Sequence, residues 1–190
     1  MKIDVAAQIE RLQNFPEISP LWRRRTHRKG EIILRQGDCV PDIFILESGL
    51  VKLFYTTSNG DEWVKSFIPD QGFFTSRSAQ QPGQESHFSA CCIEASEIVR
   101  LPYAVVQQAL AQHSEFASDY LAYSEMVGLK KEMREYALLC LSAEQRCRDF
   151  LTQENELANR LSQSDIARYL GITPIAYSRI KKRVRAGLHG

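Results

Sequence analysis

Residues 161–185 read LSQSDIARYLGITPIAYSRIKKRVR, two short helical patterns around a glycine, the second densely basic. Ser162 with Asp165 has capping-box spacing: the hydroxyl accepts from orphan backbone donors and the carboxylate reaches back, so a helix is predicted to start there. Ile166, Ala167 and Leu170 share one face, and Ala167 is small where a second helix must cross closely. Gly171 supplies the permissive backbone that ends the helix. Thr173-Pro174 is a second start, an N-cap residue with proline at the first helical position. Tyr177, Ile180 and Val184 continue the buried stripe, which leaves Ile175, Ser178, Arg179 and Lys182 on the exposed face. That is the pattern of a helix-turn-helix whose second helix enters the major groove of double-stranded DNA. A generic pair of surface helices would share the lysines, but not the caps, small residue, glycine and basic face at mutually consistent positions.

Charge agrees with this placement. From Arg160 onward, Arg160, Arg168, Arg179, Lys181, Lys182, Arg183 and Arg185 stand against Asp165 alone, so this tail is +6 in a chain of net +1, and the rest carries −5. Positive charge concentrated in one module of a near-neutral chain suits a polyanion met at one end.

At 190 residues the chain holds one large or two small domains. No run approaches the roughly 18 to 20 apolar residues of a membrane span, and MKIDVAAQIERLQNF has no apolar signal core. A cytoplasmic protein without membrane contact is expected. The five cysteines (Cys39, Cys91, Cys92, Cys140, Cys147) are odd in number and lack CxxC spacing, which argues against a disulfide framework and a zinc site. Cys91 and Cys92, adjacent in a predicted strand, point to opposite faces and are read as packing residues rather than a redox switch. His27, His87, His113 and His189 are scattered, so no metal is expected.

Outward from the basic segment, texture divides the chain. Residues 3–15 form an amphipathic helical pattern closed by Pro16 and Pro20. From about Arg25 to Pro102 run short β-type segments (EIILRQGD, DIFILESG, LVKLFYTTSNGD, EWVKSFIPDQG, HFSACCIEA, EIVRLP), punctuated by glycines 30, 37, 49, 60 and 72, the signature of an antiparallel sandwich or barrel. Asn59-Gly60 is predicted as a hairpin turn, with Gly37-Asp38 and Ser48-Gly49 as further turns. Helical texture returns at Tyr103. Ala122, Met126, Leu129, Met133, Tyr136 and Cys140 repeat with 4,3,4,3,4 spacing, a two-stranded coiled-coil seam through which the helix pairs with its twin, or else a core-facing stripe within one chain. Phe116, Tyr120, Tyr123 and Val127 form a second stripe suited to the β-region. Ser142 with Gln145 is another capping box, so the helix is predicted to break near Leu141, a candidate hinge, and to restart through Leu151. The fold class is α+β: a sensor part over 1–113, a dimerisation helix over 114–141 and a helix-turn-helix part over 142–190.

This order resembles the Crp/Fnr family of bacterial transcription regulators. The resemblance is carried by KGEIILRQGD at 29–38, IFILESGLVKLF at 43–54, Gly72-Phe73-Phe74 and LSQSDIARYLGITPIAYSRIKK at 161–182, and covers nearly the whole chain. It implies a cyclic-nucleotide-binding-like jelly roll followed by a winged-helix-like module. It also implies a homodimer on a pseudo-palindromic DNA site, with RNA polymerase as a further partner. Arg179 matches the family's base-reading arginine, and a bidentate arginine on guanine carries roughly 1 to 3 kcal/mol of discrimination. Ile175 and Ser178 join it as base readers, Ile175 by touching a thymine methyl. Arg168, Thr173, Lys182 and Arg183 are assigned to phosphates.

The resemblance has departures. Nucleotide-binding members hold the phosphate with a glycine-glutamate step and an arginine-serine or arginine-threonine pair; here that stretch is FFTSRSAQQPGQESHFSA. Phe74, Thr75, Ser76, Arg77, Ser86 and His87 are the effector-pocket candidates, and Arg77 is the nearby cation. A buried phosphate without its charge-assisted partner is poorly compensated, so tight cyclic-nucleotide binding is not expected and no cofactor follows. Cys39 is alone before residue 91, so neither an iron-sulfur cluster nor haem is expected. Family members usually continue into a β-hairpin wing, whereas this sequence stops at Gly187-Leu188-His189-Gly190. A truncated wing is therefore expected, with affinity leaning on the basic helix and falling steeply with salt. The alternative function is a sensor or interaction protein whose DNA module has decayed. A cupin-type enzyme would need clustered histidines with a carboxylate, where the β-region offers His27 and His87.

Overall fold

A computed structural model describes residues 4–188, with side chains to Val184. Ile3, the Arg185 side chain, His189 and Gly190 lie outside the described residues. Helix α1 (Val5–Gln13) starts at Asp4, whose carboxylate accepts from the Ala7 amide at 3.0 Å. Eight strands follow: β1 (Arg24–His27), β2 (Ile32–Leu34), β3 (Asp42–Ser48), β4 (Val51–Thr56), β5 (Glu62–Ile68), β6 (Gly72–Thr75), β7 (Ser89–Cys92) and β8 (Ser96–Pro102). They form two antiparallel sheets, β1-β8-β3-β6 and β2-β7-β4-β5. Each sequence run named above holds a strand, whereas β1 and β6 were absent from those runs, apart from Gly72 at the start of β6.

Strand β3 is an unbroken apolar run because both of its faces are covered. Phe44 and Leu46 point between the sheets, where they meet Leu53, Phe74, Phe88 and Ile98. Ile43 and Ile45 point outward onto Ile9 and Leu12 of α1 and onto Val106 and Phe116. The Asn59-Gly60 turn is looser than a two-residue hairpin. Pairing ends at Thr56 and Glu62, and a loop over 57–61 closes through Thr57 N to Asp61 O at 2.9 Å and Gly60 N to Thr57 O at 2.9 Å.

Helix α2 (Tyr103–Gln112) leads into α3 (Ser114–Cys140), 27 residues long. One face of α3 packs on the roll: Phe116 is buried, and the Tyr123 ring stacks on Phe73 at 3.9 Å. The 4,3 stripe lies away from it. Leu129, Met133 and Tyr136 are 57 to 60% exposed, and Cys140 is exposed, so the alternative of a stripe covered within one chain is not what the fold contains. The break falls where the sequence placed it. Leu141 is extended, and Ser142 and Gln145 complete a reciprocal capping box for α4 (Ala143–Gln153). A short α5 (Asn155–Arg160), not expected from the sequence, precedes α6 (Gln163–Tyr169) and α7 (Pro174–Leu188). The fold is thus α+β, an antiparallel roll followed by helices.

Candidate nucleic-acid interface

Helices α4, α6 and α7 share a core of Cys147, Phe150, Ile166, Ala167, Leu170, Tyr177, Ile180 and Val184. Ala167 is fully buried, as a close crossing of α6 and α7 requires. Gly171 between them has φ +69, and a Cβ there would stand 3.1 Å from Leu138 Cδ2, so both backbone and space select glycine. Thr173 caps α7 by accepting from the Ala176 amide at 3.2 Å. The Ser162 cap of α6 forms only in one direction. Its hydroxyl accepts from Asp165 N at 3.0 Å, while the Asp165 carboxylate accepts from Ser162 Oγ at 2.6 Å and from Lys52 Nζ at 3.0 Å instead of the Ser162 amide.

On α7 the base-reading candidates form one open surface: Ile175 is 69% exposed, and Ser178, Arg179 and Lys182 are exposed beside it. Among the described residues, neither Arg179 nor Lys182 makes an ion pair, whereas Arg183 Nη2 pairs with Glu144 at 3.2 Å. Arg168, expected on a phosphate, points elsewhere: its Nη1 donates to Glu62 Oε2 on β5 at 3.0 Å. The reason is the neighbouring sheet, whose carboxylates lie against the roll-facing side of α6.

That side is a dense polar contact. Lys52 is almost covered and bridges Glu62 at 3.4 Å and Asp165 at 3.0 Å. Arg134 of α3 donates to Val64 O of β5 at 2.9 Å and to Tyr169 O of α6 at 2.8 Å, its guanidinium 4.0 Å from the Tyr169 ring centre. Arg146 ties the hinge, donating to Leu141 O at 2.6 Å and Leu170 O at 3.0 Å. Arg160 binds Glu94 through Nε and Nη2 at 3.1 and 2.7 Å, Asp70 at 2.6 Å and Gly49 O at 2.9 Å. The Arg160 bond holds the Glu94 carboxyl below its ordinary range. Burial pushes Asp70 up, but Arg160 and the Gly49 amide more than offset this. Beneath the polar bonds, Leu157, Leu161 and Tyr169 pack on Leu50, Val64 and Phe67. Sequence reasoning missed Lys52, Glu62, Asp70, Glu94, Arg134 and Arg146 as a set; the trace it could have followed is the −5 body, in which Glu62 stands at a strand end and Asp70 and Glu94 in turns.

The effector-pocket candidates are engaged locally. Phe74 stacks on Phe44 at 4.9 Å. Thr75 donates to Asp42 O at 2.8 Å, and buried Ser86 donates to Phe88 O at 2.8 Å. Ser76 is buried beside Ser78, His87 is exposed, and Arg77 Nη2 reaches Ser124 of α3 at 3.3 Å. A cavity of about 20 Å³ between α1, β3 and α3 is lined by Ile9, Leu12, Ile43, Phe73 and Phe116; this is room for one water and not for a nucleotide. Burial raises the Cys91, Cys92 and Cys147 thiols, which keeps them protonated, in line with packing roles. No helix among the described residues is long and apolar enough to cross a membrane.

Residues 24–113 match the cyclic nucleotide-binding domain family. The chain is 25% identical over 197 residues to the transcriptional activator protein anr of Pseudomonas aeruginosa, covering 95% of this chain and 77% of that protein. Its fold is that of FixK2 from Bradyrhizobium japonicum, with TM-score 0.76 and 18% identity over 87% of this chain and 85% of that one. It is also that of a CooA variant from Carboxydothermus hydrogenoformans, with TM-score 0.75 and 16% identity over 94% and 83%.

Proposed function

We propose that the chain is a DNA-binding transcription regulator of the Crp/Fnr type, a reading supported by the match of residues 24–113 and the likeness to the anr activator, and that it acts as a homodimer on a pseudo-palindromic duplex site. It is a regulator and not an enzyme. The observation that carries the dimeric, sequence-reading form is the open face of α7, where Arg179 and Lys182 have no carboxylate among the described residues while their neighbours do. Arg179 reads a base edge with Ile175 and Ser178, and Thr173, Lys182 and Arg183 hold phosphates, the last by exchanging Glu144 for DNA. The exposed Leu129, Met133, Tyr136 and Cys140, with half-buried Met126, form a stripe that pairs with its twin, Ala122 marking the roll-side end of the seam. Residues 1–113 sense, 114–141 dimerise and 142–190 read.

The roll is the regulatory part, and it acts without a tightly bound cyclic nucleotide. The hydroxyls of Thr75 and Ser86 are already bonded within the roll, and Arg77 is the cation left near them. The protein works in the cytoplasm, where RNA polymerase is its further partner. The test is selection of purified protein against random duplex DNA at about 0.15 M salt, where weak surface electrostatics are screened. Enrichment of a two-fold symmetric site with half-sites about 10 base pairs apart is expected. Retention of DNA with no enriched sequence, lost as salt rises, would overturn it in favour of a sensor with a decayed module.

A further inference from the structure

The arginine that ends α5 gathers three turns at one end of the roll. Gly49 lies between β3 and β4, Asp70 between β5 and β6, and Glu94 between β7 and β8. Arg160 bonds all three, with a two-point contact to Glu94. Asp70 closes the arrangement by accepting from Gly49 N at 2.6 Å with its other oxygen. Gly49 itself has φ +107, and a Cβ would stand 2.3 Å from Ser96 Oγ, so the turn that receives Arg160 is fixed in shape.

We propose that Arg160, with Asp70 and Glu94, is a positioning residue for DNA recognition: it holds the reading module at one angle on its roll and thereby sets the half-site spacing that a dimer accepts. The inference rests on the dimeric regulator reading above. The module is joined at the Leu141–Ser142 hinge, braced by Arg146, and meets the roll in two places: at α6, through Lys52–Asp165, Arg168–Glu62 and the Arg134 bridge, and at the far end of α5, through Arg160. The Leu157, Leu161 and Tyr169 contact is non-directional, and the α6 bonds of Lys52, Arg168 and Arg134 are each made through one nitrogen, whereas the forked Arg160 guanidinium spans three turns and fixes an angle. About the hinge, α4 is a lever of about 16 Å. A swing of about 12° at its end displaces the module by about 3.4 Å, one base-pair step. Docking also leaves the reading face free, because Asp165, Arg168 and Tyr169 meet the roll while Ile175, Ser178, Arg179 and Lys182 stay exposed.

The experiment takes the symmetric site selected by the wild type, varies the separation of its half-sites one base pair at a time, and includes a duplex with a single half-site. Arg160→Gln and the double substitution Asp70→Asn with Glu94→Gln break the bond from opposite sides. The wild type is expected to favour one separation over its neighbours by at least about tenfold. Both variants should fall to about threefold or less while binding the single half-site within about twofold of wild type. Unchanged spacing discrimination in either variant overturns the positioning role. Loss of single-half-site binding in the same proportion overturns it too, because it marks a merely structural residue. A wild type that selects no symmetric site overturns the regulator reading and this inference with it, an outcome distinct from the other two.

Discussion

Arg160 and Arg179 belong to one basic tail, yet they face opposite partners. Arg160 meets two carboxylates and a carbonyl of the roll, whereas Arg179 meets solvent on the exposed side of α7. Arg134, Arg146 and Arg168 go with the first, and Lys182 with the second. The inward set joins roll, long helix and module, and the outward set is what remains for DNA. The difference teaches that a charge tally along a sequence measures supply and not destination. A +6 tail opposite a −5 body is as good a signal of internal docking as of a polyanionic partner, and here the two uses share one module.

The strongest way to break this comparison is to remove the core that both faces share. Tyr177 is fully buried between α6 and α7, and Tyr177→Ala should cost about 3 to 5 kcal/mol. Calorimetry should then show an early transition for the module followed by one for the roll, which has separate cores of its own. A single transition at lower temperature would mean that inward bonds make module and roll one cooperative unit.

The inward face alone is tested at Arg134. Replacing it with methionine leaves the Val64 and Tyr169 carbonyls without their donor and removes the contact over the Tyr169 ring. The expected loss is about 2 to 3 kcal/mol in denaturant unfolding, with amide exchange accelerated in α6. Arg134→Lys should recover only part of it, since an ammonium lacks the planar fork. Equal stability of all three proteins would show that the apolar contact at Leu157 and Leu161 suffices for docking.

How these residues were readable differs with the range of the information. The caps at Ser142 and Thr173, the Gly171 turn and the 4,3 spacing along α3 are set within a few residues, so spacing alone revealed them; that the stripe is left open was not legible, since a seam and a core-facing stripe share that spacing. The alternation in the β-runs did the same for most strands. Arg168 was misplaced because both faces of a short helix accept an arginine, and only the fold brings Glu62, 106 positions away, into reach. Arg160 bonds at separations of 66 to 111 residues, which no local pattern carries. Helix α5 was overlooked because its six residues carry no cap or periodic stripe.

On the outward face, Arg179 and Lys182 should separate by kind of effect. Arg179→Ala should lower affinity for the selected site by about 1 to 3 kcal/mol and relax preference at one base pair. Lys182→Ala should weaken all duplexes alike and reduce the salt slope by about one. Neither should move the melting temperature, since neither makes an ion pair among the described residues. Binding isotherms on matched and scrambled duplexes at several salt concentrations decide; identical profiles for the two variants would contradict the division of roles.

The finest test concerns an inward cation without a carboxylate partner among the described residues. Lys65 of β5 is half-buried, with its ammonium 4.8 Å above the Phe88 ring. Burial, followed by the charges of Lys131 and Arg134, pulls its pKa down to about 8. A base whose folded pKa lies below its unfolded value destabilises the fold while charged, so stability should be lowest below about pH 8. It should recover as pH rises from about 8 towards the unfolded value of 10.5. Lys65→Met keeps the length and removes the charge, and with solvent screening allowed for should raise stability at pH 7 by roughly 1 kcal/mol. The gain should shrink through this window and vanish only above about pH 10.5, where the lysine is neutral in both states. Unfolding midpoints of both proteins from pH 6 to about 11 measure this directly. A lysine that loses stability on replacement, as Arg134 is expected to, would mean that inward cations are held by rings and carbonyls without need of a carboxylate, and would remove the distinction drawn between Lys65 and Arg160.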